Sequence, residues 1–461
     1  MVFSSLIFLF IFLPVFLSIY YLTPFRFRSL VILTGSYIFY AWWRVDFLAL
    51  MFLATLWNYF VAHRIVRNLD TERGHRWLQV GVTVDLLALG IFKYFNFGLD
   101  SVNAVLSASD LNTIEAMKFI LPIGISFYIF HSISFLVDVY RKDAPPPAKF
   151  SDFAAFIALF PQLVAGPVLR YKDLFDQFTS RTHTFEKFSH GAYRFMIGFA
   201  KKVLIADTVA TLVEKSFALE NPSMGDAWLG ALGYTIQLYF DFSGYSDMAV
   251  GLGMMLGFKF IENFNYPYIS RSITEFWRRW HISLSSWLRD YLYVPLGGNR
   301  KGVTRTYINL FLTMLLGGLW HGANWTYVLW GAWHGLWLAI ERALGVRAGE
   351  NGNGSVIRQS TAMVVTFFLV VIGWVMFRAE TVGKAMIFYK AMFTGTPGFS
   401  EPLAWQITGA ASTAMIAGCV LIFVVPFLKA RVGFDFKQTH SIPVHLMAVV
   451  LFILSVIKLS A

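Results

Sequence analysis

The sequence predicts an all-α, polytopic membrane protein, and three observations predict it. Apolar runs recur from Phe3 to Leu459, many long enough to cross a hydrocarbon core of roughly 30 Å. Hydrophobic residues fill 57% of the 461 positions and charged residues only 14%, too little charge for the surface of a soluble protein of this size. No long hydrophilic block interrupts the pattern, so a single membrane domain over 1–461 is expected. Mean hydropathy is +0.57.

Taken in order, the first segment, Phe3 to Leu22, is apolar with no basic stretch before it and no small-residue cleavage pattern after it, and reads as a retained first helix. Arg26 and Arg28 follow it. Arg64, Arg67, Arg73 and Arg76 follow the third apolar run, and Arg141, Lys142 and Lys149 the fifth. Only Arg44 sits between the second and third runs, and no base lies between Leu99 and Ala116. This bias puts the N-terminus outside and the basic turns in the cytoplasm. Phe153 to Val168 is short and broken by Pro161, Gly166 and Pro167, the pattern of a re-entrant piece. A helical run from His190 to Val213 carries Lys201 and Lys202, and Ala227 to Phe258 is a long run interrupted by Asp241, Gly244 and Asp247.

Further on, Ser272 to Tyr293 is amphipathic and Arg-rich, as a surface helix at the inner headgroups would be. Tyr307 to Leu319 and Trp325 to Ile340 are two short pieces joined at Trp320–Asn324, and read as a hairpin turning within the membrane thickness. Thr361 to Phe377, Ile407 to Phe427 and Ile442 to Leu459 read as ordinary spans. Arg342, Arg347 and Arg358, then Lys429, Arg431 and Lys437, mark cytoplasmic loops. The count comes to about eleven transmembrane helices plus re-entrant and amphipathic surface helices. No internal repeat is visible, which disfavours an inverted-repeat transporter.

The formal charge of +11 fits basic cytoplasmic loops, and nothing interleaves bases with aromatics as a nucleic-acid surface would. Cys419, the single cysteine, rules out an internal disulfide or a cysteine-rich metal site. Its apolar surroundings suggest a buried, inert thiol.

Polar groups at membrane depth are costly and need a reason. The densest set runs from Asp241 to His334. In Gly317-Gly318-Leu319-Trp320-His321-Gly322-Ala323-Asn324, small residues leave room for a ligand beside the backbone. His321 is the side chain there that titrates near neutrality, as a general base must; the competing reading is a histidine that only packs helices. In Glu275-Phe276-Trp277-Arg278-Arg279-Trp280-His281-Ile282-Ser283-Leu284-Ser285, Trp277, His281, Leu284 and Leu288 share a face at helical spacing. His281 there serves structure or catalysis equally well. In Gln237 to Asp247, Asp241 and Tyr245 share a face if the helix persists through Gly244. Asp241 reads as pocket-lining or orienting, Asp247 as one half of a buried ion pair with Arg278 or Arg279. His334 reads as a packing residue, and Lys93 and Asp138 as groups that snorkel at span ends. No H-E-x-x-H, G-x-S-x-G or P-loop pattern occurs.

Several stretches together resemble the membrane-bound O-acyltransferase family, and within it the bacterial branch serving polysaccharide acetylation. They are Met1-Val2-Phe3-Ser4-Ser5, Tyr40-Ala41-Trp42-Trp43-Arg44-Val45-Asp46, Leu121-Pro122-Ile123-Gly124-Ile125-Ser126-Phe127-Tyr128 and Phe160-Pro161-Gln162-Leu163-Val164-Ala165-Gly166-Pro167, with the Asp241 segment, Trp280-His281-Ile282-Ser283-Leu284-Ser285 and Trp320-His321-Gly322. The likeness is strongest over 1–343, and Trp374, Phe377 and Arg378 extend it weakly. It implies a ring of helices around a thin centre, with funnels from both sides meeting at a catalytic histidine. That histidine falls on His321, and the family's second recurrent His or Asn on His281. Asp241, Tyr245, Trp320, Asn324 and Arg278 are the candidate substrate-binding residues around them.

The resemblance further implies O-acetyl transfer without a metal or a permanently bound cofactor. The donor would be cytoplasmic, with acetyl-CoA the leading candidate although no nucleotide-binding motif is visible. The acceptor would be an exopolysaccharide, alginate first, bacterial cellulose or another envelope glycan as the alternative. Periplasmic polysaccharide acetyltransferases are the implied partners, besides membrane lipids, and the bacterial inner membrane the implied location. A glycan transporter or channel lined by the same polar residues is the rival of a different class.

Overall fold

The computed structural model describes residues 1–163, 166–346, 355–432 and 442–460, so Val164, Ala165, Arg347 and Lys437 lie outside the described residues. Every regular element among the described residues is helical. Five of these helices are long and apolar enough to cross a membrane: Val45–Arg67, Glu72–Ala108, Val356–Arg378, Gly409–Lys429 and Ile442–Ser460. Their outward residues are apolar, as lipid contact demands: Leu53, Val364, Ile416 and Leu446 are each about three-fifths exposed.

Two compact units emerge, one formed by Met1–Phe188 with Leu252–Ile261, the other by Ser189–Gly251 with Glu262–Ala461. The first unit contains α1 (Leu13–Leu22), α2 (Arg28–Ala41), α3 (Val45–Arg67), α4 (Glu72–Leu89), α5 (Ile125–Arg141) and α6 (Phe150–Ala158). Helices α3, α4 and α5 pack on one another. Thr71 caps α4 by accepting from the Gly74 amide at 3.3 Å, satisfying one of the amides a helix start leaves open.

Lys93 and Asp138 do not snorkel. Lys93 is buried and donates to Ser126 Oγ at 2.8 Å. Asp138 is fully buried and accepts from the Lys172 amide at 3.1 Å. An internal partner within reach replaces water, so neither chain has to stretch to the interface. The predicted re-entrant piece is a nine-residue helix, α6, followed by the short turn Phe160–Leu163.

The second unit holds most of α7 (Phe185–Ala200) and α8 (Met224–Met255), then α9 (Ile273–Arg279), α10 (Ile282–Leu288), α11 (Val303–His321), α12 (Trp325–Ala343), α13 (Val356–Arg378), α14 (Val382–Thr394), α15 (Gly409–Cys419) and α16 (Ile442–Ser460). The run predicted over His190 to Val213 is helical but passes through a π-turn at Lys201–Ala206 before resuming at Asp207.

Helices α7 and α8 meet through glycine: a Cβ on Gly198 or Gly244 would overlap the other helix's backbone. Small residues let two backbones touch where lipid supplies no hydrophobic drive between helices. Cys419, expected buried, is exposed on α15, on the same outward side as Ile416 and Val420. An apolar run does not tell which of its residues point inward when the solvent is lipid.

Candidate active site

Helices α11 and α12 form an antiparallel hairpin. Each is 19 residues long, about 28 Å at 1.5 Å per residue, so neither is the short piece the sequence suggested. The difference lies mostly at the ends away from the turn, where α11 begins at Val303 instead of Tyr307 and α12 runs on from Ile340 to Ala343; at the turn α11 continues through Trp320 to end on His321. Gly322 is extended, and Asn324 starts α12 by accepting from the Thr326 amide at 3.0 Å. Asn324 also donates to the Glu380 carbonyl at 2.9 Å.

The room left by the glycines belongs to the protein, not to a ligand. A Cβ on Gly318 or Gly331 would overlap the facing helix backbone, and one on Gly322 would overlap the Tyr327 ring. The glycines therefore draw the hairpin's arms together. This close approach sets Trp330, one arm across, against His321 with ring centroids 5.2 Å apart.

His321 is half-buried. Its ring stands edge-on to Trp320 at 5.0 Å, Trp330 at 5.2 Å and Phe377 of α13 at 5.1 Å. The aromatic walls shield the imidazole's flanks and hold its plane. His281 approaches at 6.4 Å between centroids.

The predicted surface helix over Ser272 to Tyr293 is broken at His281. Residues Ile273–Arg279 and Ile282–Leu288 are separate helices, and His281 between them adopts φ 45°, ψ 53°. Such left-handed backbone is costly for a residue with a side chain and persists only where its surroundings compel it. The compulsion comes from the loop after α8. The Asn263 carbonyl accepts the Ile282 amide at 3.0 Å, and the Asn265 amide donates to the Arg279 carbonyl at 2.9 Å. Asn263 Oδ1 takes the Ser283 amide at 3.2 Å and the Ser283 hydroxyl at 2.8 Å, and lies 3.2 Å from His281 Nδ1. His281 is 1% exposed, packed against Phe242 at 4.7 Å and Trp320 at 6.0 Å.

Helix α9 is anchored at both ends of its first turn. Ser272 Oγ accepts the Glu275 amide at 3.0 Å, half of a capping box. The buried Glu341 carboxylate of α12 receives the Ile273 amide, the Thr274 amide at 2.8 Å and the Thr274 hydroxyl at 2.7 Å. A carboxylate at a helix N-terminus is favoured by the open amides and the helix dipole. The sequence reading missed Glu341 and Asn263. The available signal was a carboxylate near the end of an apolar helix for one, and a polar pair, Asn263 and Asn265, amid aromatics for the other.

His334 is fully buried among Trp277, Trp330, Phe276 and Trp374, where Trp277 Nε1 donates to its Nδ1 at 3.3 Å. Of the other sequence candidates, Trp320 alone has a ring contact with the two histidines among the described residues. Trp320 is buried against both. Arg278 is exposed. Helix α8 does persist through Gly244, so Asp241 and Tyr245 share a face. Asp241 binds Lys202 at 2.7 Å.

Asp247 is the buried ion-pair member expected, but with different partners: Arg194 at 2.8 Å and Lys201 at 2.6 Å. Arg279 pairs instead with Glu275, one helical turn away, at 2.7 Å. The glycine contact between α7 and α8 brings Arg194 and Lys201 beside Asp247, which sequence distance could not foretell.

Residues 92–347, the stretch holding every one of these site residues except Trp374, Phe377 and Glu380, match the family model for MBOAT, the membrane-bound O-acyltransferase family. The chain belongs to this family.

It is 56% identical to the probable alginate O-acetylase AlgI of Pseudomonas putida over 100% of this chain and 98% of that one. To the protein of the same description from Pseudomonas aeruginosa it is 60% identical, over 92% of this chain and 81% of that one. To the peptidoglycan O-acetyltransferase of Helicobacter pylori it is 36% identical, over 85% and 80% respectively. The protein is thus a multi-pass membrane O-acyltransferase, and the hairpin, the broken helix at His281 and the aromatic walls lie within an enzyme. A transporter built on the same polar residues is set aside.

Proposed function

We propose that this O-acyltransferase moves acetyl groups from a cytoplasmic thioester donor to an exopolysaccharide, alginate in the first place, with His321 as its base. The observation that carries the reading is one half-buried imidazole at the end of α11, walled by Trp320, Trp330 and Phe377 and faced by a second histidine. The names of the relatives at 56% and 60% identity support the acceptor; the peptidoglycan enzyme stands further off at 36%.

In this reading His321 takes the proton of an incoming hydroxyl, or carries the acetyl group itself for one step. As the carbonyl carbon becomes tetrahedral, negative charge builds on its oxygen. A backbone N–H near Gly322 or the His281 ring answers that charge. Acetyl-CoA is the donor that fits a cytoplasmic thioester. The acetyl group passes outward to periplasmic polysaccharide acetyltransferases that modify the polymer, and the enzyme sits in the bacterial inner membrane. Trp320, Tyr245, Asp241, Asn324 and Arg278 are the residues assigned to substrate binding in this reading.

The test is a His321→Ala chain expressed in a strain lacking its own copy. Acetyl content of the exported polymer falls to background while polymer yield holds. Unchanged acetylation would remove His321 from the chemistry, and lost export with acetylation intact on the residual polymer would overturn the transferase reading.

A further inference from the structure

The site's second histidine has a chemically determined form. Asn263 Oδ1 is the acceptor for the Ser283 amide at 3.2 Å and the Ser283 hydroxyl at 2.8 Å. A backbone amide can only donate, so the atom facing it must be the amide oxygen of Asn263 and not its NH₂. His281 Nδ1 faces that same oxygen at 3.2 Å. An oxygen that cannot donate calls for the hydrogen on Nδ1, and the Ser283 hydroxyl, 3.4 Å from the same nitrogen, gives its one hydrogen to Asn263 Oδ1 at 2.8 Å and so accepts there. In a neutral ring the proton count is then complete, and Nε2 is left with a bare lone pair. That nitrogen is buried and has no hydrogen-bond partner. It points away from Asn263, because the two ring nitrogens project to nearly opposite sides.

We infer that Asn263 is a positioning residue: it locks His281 in the Nδ1–H tautomer, so that His281 acts as an acceptor supporting His321 and not as a donor to the developing oxyanion. This rests on the reading of His321 as the base. The acceptor hydroxyl's O–H bond breaks as its oxygen bonds the acetyl carbon. The proton goes to His321, the C–S bond of the thioester donor breaks, and the proton passes on to the departing thiolate. Through these steps positive charge builds on the His321 imidazolium. His281 stands beside it, at 6.4 Å between centroids, and the bare Nε2 lone pair is the part of its ring that can answer that charge. Contacts of this sort are commonly long before substrate binds and tighten when charge develops.

The arrangement follows the logic by which an orienting group fixes the tautomer of a catalytic imidazole. It leaves the backbone N–H near Gly322 to answer the oxyanion. It also accounts for the left-handed backbone at His281: φ 45° turns the ring back onto the loop holding Asn263. Phe242 and Trp320 pack on the ring at 4.7 and 6.0 Å.

Two readouts on the full chain in membrane vesicles test the inference. The first is ¹⁵N NMR of histidine-labelled protein, with the His281 ring isolated by difference against His281→Asn. Wild type should show a pyrrole-type Nδ1 and a pyridine-type Nε2, and Asn263→Leu should convert the ring to the Nε2–H form. A wild-type ring already in the Nε2–H form overturns the inference, whether or not transfer is observed. The second is acetyl transfer from radiolabelled acetyl-CoA to an alginate oligosaccharide. Asn263→Leu should lower kcat on the order of 10²-fold with little change in KM, and Asn263→Asp, which keeps an acceptor at the same place, should restore most of it. Leucine leaving kcat intact overturns the inference. Wild type failing to transfer acetyl at all would instead count against the proposed function, with the tautomer still deciding the role of Asn263.

Discussion

Replacing Glu341 with alanine would remove the single carboxylate that closes the first turn of α9. Its two oxygens receive the Ile273 amide, the Thr274 amide at 2.8 Å and the Thr274 hydroxyl at 2.7 Å, and Ile273 is fully buried. Hydrogen bonds to a charged group contribute roughly 1.5–3 kcal/mol each, and a buried donor left unmet costs about 1–3 kcal/mol. The Thr274 hydroxyl can rotate toward another acceptor, but the two backbone amides cannot. Two stranded amides therefore set a cost of about 2–6 kcal/mol. Glu341→Gln should fall between, since its one oxygen can still meet one amide while its NH₂ faces the other. The assay is thermal unfolding of the purified full chain in detergent, followed by tryptophan fluorescence, with midpoints ordered wild type, glutamine, alanine. Because α9 leads directly into Trp280 and His281, transfer activity should fall together with stability in the alanine protein. An alanine variant within about 0.5 kcal/mol of wild type, the usual range for an unimportant surface change, would refute the claim that Glu341 anchors this helix.

Other expectations are narrower. Asp247→Asn should destabilise by about 3 kcal/mol, because Asp247 is buried between Arg194 and Lys201 and breaking a buried pair leaves charge uncompensated. Asp241→Asn should cost under about 1 kcal/mol, because the Asp241–Lys202 pair is half-exposed; equal costs in denaturant titrations would contradict the burial contrast. Gly331→Leu should prevent the α11–α12 hairpin from closing, since any Cβ there overlaps the opposing backbone, and the variant should be lost from membranes or emerge aggregated on gel filtration. A nitroxide on Cys419, the single cysteine, should be relaxed strongly by oxygen and weakly by a water-soluble nickel chelate; the reverse would mean that this face of α15 meets water.

Much of the site could be read in advance. A histidine between Gly318, Trp320 and Gly322 stood out in an apolar chain because intramembrane polar groups are rare and need a cause. His281 stood out for the same reason, and its role remained open because its local sequence suits a continuous amphipathic helix. The break there depends on Asn263, eighteen positions earlier, and local spacing carries no trace of such a partner. The glycines misled in a related way. Small residues signal that something approaches the backbone, but whether a ligand or a second helix approaches is settled only when Gly318 is found against Gly331.

From its residues alone this chain determined that it is helical and membrane-embedded, since backbone amides in hydrocarbon must be satisfied within each segment and 57% hydrophobic content leaves little else. The same residues singled out His321 and His281. Only the tertiary structure decided which partners those polar groups have: Asp247 with Arg194 and Lys201, Glu341 with α9, Asn263 with His281. Secondary structure follows from short-range periodicity and solvent. The pairing of buried polar groups depends instead on which helices touch, and that is set by packing between residues far apart in the chain.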